Sequence, residues 1–177
     1  MKKILLVVFI GISALCAFAA TRPDDFRITR SINIAAPADV VFSHINDLHA
    51  WQAWSPWAKK DPKAQVSYAG PETGVDSSFH WAGNSDVGEG TMTIIESRPG
   101  QLVRFQLDFL KPFKATNNSE FVLNATQDGT TVSLCMYGKI YFISKVIGIF
   151  MDCKKMVAPD FEQGLLNLKS VAEGKKS

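Results

Sequence analysis

Residues 101–142 read QLVRFQLDFLKPFKATNNSEFVLNATQDGTTVSLCMYGKIYF, and apolar side chains recur at every second position through much of this stretch. Val103, Phe105 and Leu107 share one face of an extended segment, because side chains two residues apart point the same way. Gln127-Asp128-Gly129 has the composition of a tight turn between two strands. The stretch therefore predicts three antiparallel strands, near 101–110, 114–126 and 130–142.

The pattern continues upstream of this stretch. It predicts further strands near 26–35, 64–69, 75–82 and 87–98. Pro37 begins a helix at the position where its missing N–H costs nothing, and the segment 51–57 forms a second, short helical turn. Apolar residues at helical spacing predict a long last helix near 152–172, the element long enough to cover the apolar face of the sheet. The prediction is an α+β fold: a curved antiparallel sheet of about seven strands wrapped around a long C-terminal helix, with two short helices after the first strand.

The N-terminal leader predicts export. Lys2 and Lys3 precede an uncharged apolar stretch, 4–20, and Ala17-Phe18-Ala19 has the small-x-small form of a signal-peptidase site. The stretch also reaches the lower end of the length of a spanning helix, about 17–25 residues. A cleaved signal peptide and a retained inner-membrane anchor therefore both remain open. Both place the domain outside the cytoplasm, in the periplasm or a comparable extracytoplasmic space.

These signals divide the chain into four parts. A signal peptide or membrane anchor covers 1–20, a polar tether covers 21–25, one folded domain covers 26–172 and a short tail covers 173–177. No internal repeat and no long linker divides the folded domain further.

Composition excludes several classes of protein. The chain has 19 Lys+Arg and 17 Asp+Glu, and removing Lys2 and Lys3 balances the charge. Without a basic cluster, nucleic acid is not an expected partner. The three histidines lack partners at metal-ligand spacing and no Cys-x-x-Cys occurs, so neither a metal nor another cofactor is expected. Cys135 and Cys153 could form a disulfide in an oxidising compartment, but two unpaired apolar cysteines are the preferred interpretation.

The inner face of the predicted sheet is rich in aromatic side chains and, in this register, has no carboxylate, histidine or lysine. Aromatic walls with few polar groups form pockets for apolar ligands. A plain hydrophobic core is the alternative, and Trp51, Trp54 and Trp57 could either plug the open edge or line a pocket. The candidate cavity-lining residues are Trp54, Trp57, Phe79, Trp81, Met92, Phe105, Phe109, Phe121, Met136, Phe150, Phe161 and Leu165.

Two further features of the sequence bear on alternative functions. No catalytic residue is assigned, but His80, Glu89, Asp108 and Tyr137 are the acids or bases that an enzyme would use, provided one faces the cavity. The apolar connection 141–151 is either a buried turn, a mobile entrance or a surface that touches a membrane or a protein. The lysines in or near this connection are Lys139, Lys145, Lys154 and Lys155.

Several short motifs along the chain resemble one known superfamily. They are APADVVF (36–42), NDL (46–48), WSPW (54–57), GPETG (70–74), GEG (88–90), KPFK (111–114) and DFEQGL (160–165). In this order they resemble the SRPBCC superfamily, also called START-like or helix-grip, and within it the bacterial polyketide cyclase/dehydrase-like branch. The resemblance implies a seven-stranded sheet that grips a C-terminal helix around a cavity for a hydrophobic molecule.

The superfamily does not imply a single function, since it includes lipid carriers, hormone receptors, aromatase/cyclases, oxygenase subunits and chaperone activators. The leading hypothesis is a monomeric, non-enzymatic protein of the cell envelope that binds a lipid-like or aromatic small molecule. The membrane is a partner only if the leader stays uncleaved. The alternatives are a protein-interaction module resembling the chaperone activators and a cyclase/dehydratase-like enzyme.

Overall fold

The computed structural model describes residues 2–141, 145–146 and 153–174. Seven strands form one antiparallel sheet in the order β1-β7-β6-β5-β4-β3-β2. The strands are β1 (Asp25–Ile34), β2 (Gln65–Ala69), β3 (Ser78–Ala82), β4 (Glu89–Arg98), β5 (Leu102–Lys111), β6 (Ala115–Thr126) and β7 (Gly129–Lys139). The helices in the described residues are α1 (Lys2–Ala20), α2 (Ala38–Asn46), α3 (Pro56–Lys60) and α4 (Cys153–Ala172), with a 3-10 turn at Ala50–Ala53. The predicted α+β helix-grip fold is confirmed.

The strands lie close to their predicted positions, except that β3 begins at Ser78 rather than near 75 and β7 ends at Lys139 rather than near 142. Asp76 adopts a positive φ of 70° just before this strand, and its N–H donates to the carbonyl oxygen of Ile94 at 2.9 Å. A left-handed backbone cannot continue a strand. Residues 75–77 therefore form a turn against β4 rather than the first residues of β3.

The core lies between the inner face of the sheet and the helices. Phe105 on β5 and Phe121 on β6 are fully buried beside Ile45 of α2 and Leu168 of α4. Trp54 completes this cluster, with its ring centroid 6.0 Å from that of Phe121. Edge-to-face ring pairs of this kind stabilise a core beyond the burial of their area. The alternation seen in the sequence thus assigns the inner face correctly.

One end of the sheet gathers the beginning of the domain and the β5–β6 connection. The register pairs Asp25 with Lys139, Glu89 with Lys111 and Gln65 with Ala82, so these residues lie at the same end. We call it the tether end, because residues 21–24 reach the sheet there. Gly88 is required at this end: its φ is 67°, and a Cβ would lie 2.4 Å from the carbonyl oxygen of Lys111.

Most of the apolar connection 141–151, including Phe150, lies outside the described residues. Lys145 is described, and it is buried rather than directed toward a membrane or another protein. Its ammonium donates to the carbonyl oxygen of Arg22 at 2.8 Å and pairs with Asp24, so a buried charge is compensated by the tether. Among the described residues, no helix has the length and apolar character needed to cross a membrane.

Candidate functional site

A cavity of about 360 Å³ lies between the inner face of the sheet, α4 and the segment 51–64. Cavities of roughly 300–1,000 Å³ are typical of small-molecule sites. The residues that line it are Trp51, Gln52, Trp54, Ser55, Trp57, Ala58, Asp61, Pro62, Ala64, Val66, Phe79, Trp81, Val87, Met92, Leu107, Phe109, Ser119, Phe121, Leu134, Met136, Val157, Asp160, Phe161 and Gly164. The sheet and the helix do not fill the space between them.

The sheet side of the wall is aromatic. Phe79 and Trp81 alternate with outward residues on β3, and their rings stack with centroids 5.9 Å apart. Phe109 of β5 meets Trp81 edge to face at 5.9 Å. The Trp81 indole N–H donates to the carbonyl oxygen of Val87 at 3.1 Å, so its one polar atom is already satisfied. What these rings offer a ligand is therefore apolar surface.

The tryptophan cluster closes the back of the cavity. Trp51 and Trp54 donate their indole N–H groups to the carbonyl oxygens of Ile45 and His44, at 2.9 and 3.2 Å. Both rings are buried and fixed to the end of α2. Trp57 is less buried, and its ring lies 6.4 Å from that of Phe161 on α4. The cluster plugs the open edge and also supplies part of the wall, so the two interpretations of these residues are compatible.

Helix α4 forms the opposite wall and is fastened to α3. Lys60 donates to Asp160 at 2.7 Å across the two helices. Gly164 lets the helices approach, since a Cβ there would lie 3.3 Å from Cδ of Pro56. Asn167 donates its side-chain N–H to the carbonyl oxygen of Trp54 at 2.9 Å. These contacts hold the helix across the cavity instead of letting it collapse onto the sheet.

Two polar side chains on the wall, Asp61 and Ser119, already have partners within the protein. Asp61 accepts hydrogen bonds from the backbone N–H groups of Asn84 and Lys63, at 2.8 and 3.1 Å. Ser119 donates to the carbonyl oxygen of Cys135 at 3.1 Å. In the part of the chain that the structure describes, no buried side-chain nitrogen or oxygen lacks a partner. The interior therefore does not require a polar ligand to satisfy it.

The structure brings together most of the residues assigned to a cavity from the sequence. Nine line it: Trp54, Trp57, Phe79, Trp81, Met92, Phe109, Phe121, Met136 and Phe161. Phe105 and Leu165 lie in the core instead; Phe105 is covered by the ring of Trp51 at 5.3 Å. Phe150 lies outside the described residues. The part these side chains play in ligand binding stays a prediction.

Sequence reasoning missed other lining residues. Leu107 and Leu134 line the cavity from the inner face of the sheet, but they were not among the candidates. Ala58 and Ala64 lie in α3 and the loop after it, and Val87 lies in the loop before β4. Ala58 lies in a helix too short to show a period and Ala64 in a loop, so these two positions could not have been found from the pattern. Val87 falls at the start of the strand predicted near 87–98, next to the register shift between Glu89 and Gly90.

The four acids and bases considered for catalysis do not line the cavity. His80 places Nδ1 3.2 Å from the hydroxyl of Thr91, and Asp108 accepts a hydrogen bond from Thr116 at 2.6 Å. Tyr137 lies beneath the guanidinium of Arg27, 4.9 Å from its ring centroid. Glu89 follows Gly88 at a bulge in the β4–β5 register, but its carboxylate pairs with Lys111 at 2.6 Å. Each side chain is engaged away from the cavity.

The described residues also contain no group of three or more His, Cys, Asp or Glu side chains able to hold a metal ion. Cys135 is a buried free thiol on β7. The side chain of Cys153 lies outside what the structure describes.

The pair at Glu89 gives a testable pH dependence. The Lys111 ammonium that donates to the carboxylate holds the pKa of Glu89 below the ordinary glutamate value. A lowered folded-state pKa stabilises the protein above the unfolded value, about 4.3, and this contribution is lost as pH falls through the folded value. A carboxyl-carbon NMR titration is expected to place the Glu89 pKa below the ordinary glutamate value. Lys111→Met is expected to raise the Glu89 pKa, and an unchanged pKa would contradict the pairing.

The fold and the cavity define a class: a helix-grip domain with an internal apolar cavity. The chain belongs to the family described as polyketide cyclase / dehydrase and lipid transport, whose model matches residues 25–173. The resemblance to the SRPBCC superfamily is thereby confirmed. The fold of this family is one that binds hydrophobic small molecules. Among curated proteins, none matches this chain significantly.

Solved structures share the fold at low sequence identity. A protein from Mesorhizobium loti is 11% identical with a TM-score of 0.63, covering 86% of this chain and 100% of its own. The Aha1 dimer from Colwellia psychrerythraea is 18% identical with a TM-score of 0.59, covering 86% and 99%. The di-domain ARO/CYC protein StfQ of the steffimycin biosynthetic pathway is 10% identical with a TM-score of 0.61, covering 85% and 51%. At these identities the likeness concerns the fold alone.

Proposed function

We propose that this protein binds a hydrophobic small molecule, lipid-like or aromatic, in the cavity beneath α4, without transforming it chemically. The observation that carries the proposal is the aromatic cavity of about 360 Å³. A ligand that buries about 200 Å² of apolar surface there gains roughly 5 kcal/mol from the hydrophobic effect. That gain must exceed the cost of immobilising the ligand, which favours a rigid or compact molecule over a long flexible one.

The chemistry of the wall favours binding over acid–base catalysis. General acid–base catalysis needs a titratable group within hydrogen-bond reach of the substrate. Among the lining residues, the carboxylic acids are Asp61 and Asp160. Asp61 accepts hydrogen bonds from two backbone N–H groups, and Asp160 forms an ion pair with Lys60. Each carboxylate therefore stabilises the fold. A ligand in this cavity therefore meets mainly ring faces and aliphatic groups, and both carboxylates of the wall are already engaged by groups of the protein.

The location we propose is the cell envelope. Lys2 and Lys3, the apolar residues after them and the small-x-small site at 17–19 support export of the domain. N-terminal sequencing of protein purified from an envelope fraction is the check on this location. Recovery of the domain in the cytoplasmic fraction with its leader intact would contradict it.

The binding proposal is tested by native mass spectrometry on the full chain, purified from its own envelope and followed by organic extraction. The expected result is a mass increment of one small molecule per chain, released into the organic phase as an apolar compound. A matched control is Leu107→Trp, which places an indole in the cavity and is expected to lose the increment. Wild-type protein that stays empty after purification and after incubation with an envelope lipid extract would overturn the proposal.

A further inference from the structure

The β5–β6 connection exposes more apolar surface than its packing explains. We call residues 110–114 the hairpin tip. Within it Phe113 is 69% exposed and Leu110 is 42% exposed. Lys111 pairs with Glu89 at 2.6 Å, whereas Lys114 has no ion pair among the described residues. Neighbouring exposed apolar side chains rimmed by polar residues, rather than single scattered ones, are a sign of an interaction site.

The hairpin tip lies at the tether end of the sheet. Lys111 pairs with Glu89 in the register, and Asp25 pairs with Lys139 at the same end. Tyr141 follows that strand end and is 67% exposed. The exposed apolar side chains of the hairpin tip and of Tyr141 therefore lie at the same end of the domain.

Hydrogen bonds hold the tether at this end. The N–H of Ile140 donates to the carbonyl oxygen of Asp24 at 2.7 Å, and Lys145 donates to the carbonyl oxygen of Arg22 at 2.8 Å. Residues 21–24 span at most about 14 Å when fully extended. The end of α1 is thus kept at the tether end of the sheet. That helix also exposes apolar rings, since Phe18 is 58% exposed.

We propose that the tether end docks on a phospholipid bilayer, with Leu110 and Phe113 in the interfacial region and the ammonium of Lys114 at the headgroups. An apolar helix that ends at the tether end and an exposed apolar hairpin tip at the same end are both within reach of one planar apolar phase. Aromatic rings and lysines on flexible stems are the side chains suited to the membrane interface. Two weak contacts, from α1 and from the hairpin tip, hold a domain at a surface more firmly than either alone.

The docking surface also adjoins the cavity. Pro62 and Val66 are exposed lining residues near Gln65, and Val87 precedes Gly88 at the tether end. If the cavity holds a ligand as proposed above, a domain docked in this way exchanges it with the bilayer and not with water. The docking itself does not depend on ligand binding, so the two proposals fail independently.

The test uses site-specific photocrosslinking of the full chain on vesicles of phosphatidylcholine and phosphatidylglycerol. p-Benzoylphenylalanine replaces Phe113, Leu110 or, as the matched control, Ile95. Ile95 is also apolar and 42% exposed, but it lies six residues along β4 from Glu89, about 20 Å from the tether end. Each variant is first shown to keep the tryptophan fluorescence of the wild-type protein.

The expected result is a lipid adduct at positions 110 and 113 with a yield several-fold above that at position 95. Equal lipid yields at all three positions, or none at 113, would overturn the proposal. Adducts at 113 to a second copy of the chain, in place of lipid, would overturn it as well and assign the hairpin tip to a protein interface.

Discussion

Leu107→Trp is expected to weaken binding of a neutral apolar probe, N-phenyl-1-naphthylamine, by about two orders of magnitude. Leu107 lies on β5 opposite Met92 in the register, and its side chain lines the cavity. An indole at this position occupies space that the ligand would fill. Removing about 100 Å² of apolar contact costs roughly 2.5 kcal/mol, which corresponds to a nearly hundredfold change in Kd. Probe fluorescence titrated against delipidated protein gives both dissociation constants.

The control for this change is the adjacent residue of the same strand. Gln106 faces the outer side of the sheet, where it donates to Asp108 at 2.8 Å. Gln106→Trp adds the same indole outside the cavity, so the probe Kd is expected to stay within about threefold of wild type, under about 0.7 kcal/mol. Equal weakening by the two tryptophans would mean that the probe does not bind in this cavity.

Phe121→Ala is expected to give a large loss of stability. The Phe121 ring is buried, and its centroid lies 5.8 Å from Trp51, 6.0 Å from Trp54 and 6.1 Å from Phe105. Truncating a buried phenylalanine removes transfer free energy and leaves a void, at a cost of about 3–5 kcal/mol. Because domains are typically stable by about 5–15 kcal/mol, this loss is a large fraction of the total. Urea denaturation measures it as a lowered midpoint.

Phe113→Ala is the matched control, since it removes the same ring from an exposed position. The free energy of unfolding in solution is expected to change by less than about 0.5 kcal/mol, as for other surface substitutions. Similar midpoints for Phe121→Ala and Phe113→Ala would contradict the position of Phe121 at the centre of the aromatic cluster.

The sheet could be predicted because its chemistry is periodic. In 101–110, apolar residues at odd positions face the helices, and Val103 and Phe105 are indeed buried. A shift of one residue would expose this whole apolar set, so the pattern determines which side is inside. The breaks between strands could be predicted as well, because glycine in the sequence marks tight turns. Gly100 and Gly129 adopt positive φ at the β4–β5 and β6–β7 turns.

The cavity itself could be predicted only in part. A periodic pattern identifies which side chains face inward, but Phe105 and Phe109 have the same pattern and only Phe109 borders empty space. The difference depends on where Trp51 packs, which is a tertiary contact. The rim of the cavity is positioned by a hydrogen bond that the Asp61 carboxylate accepts from the backbone N–H of Asn84, 23 residues away. The local sequence gives no sign of that contact.

The charged residues of the tether end illustrate the same limit. Lys145 belongs to an apolar connection flanked by lysines, a composition typical of a surface that meets a membrane or a protein. The fold instead buries its ammonium against Arg22 and Asp24, more than 120 residues away in the chain. The hairpin tip, together with Tyr141, carries exposed apolar surface at this end, and in the sequence the motif Lys111-Pro112-Phe113-Lys114 pointed only to family membership.

The most direct test of the central claim, that the space under α4 is a binding site, is a methionine-methyl NMR experiment. Met92 and Met136 both line the cavity. With N-phenyl-1-naphthylamine bound, the account expects intermolecular NOEs from the probe protons to the methyl groups of Met92 and Met136. These NOEs should disappear in Leu107→Trp. Saturable binding of the probe without an NOE to either methyl group would contradict the claim, because the ligand would then lie elsewhere on the protein.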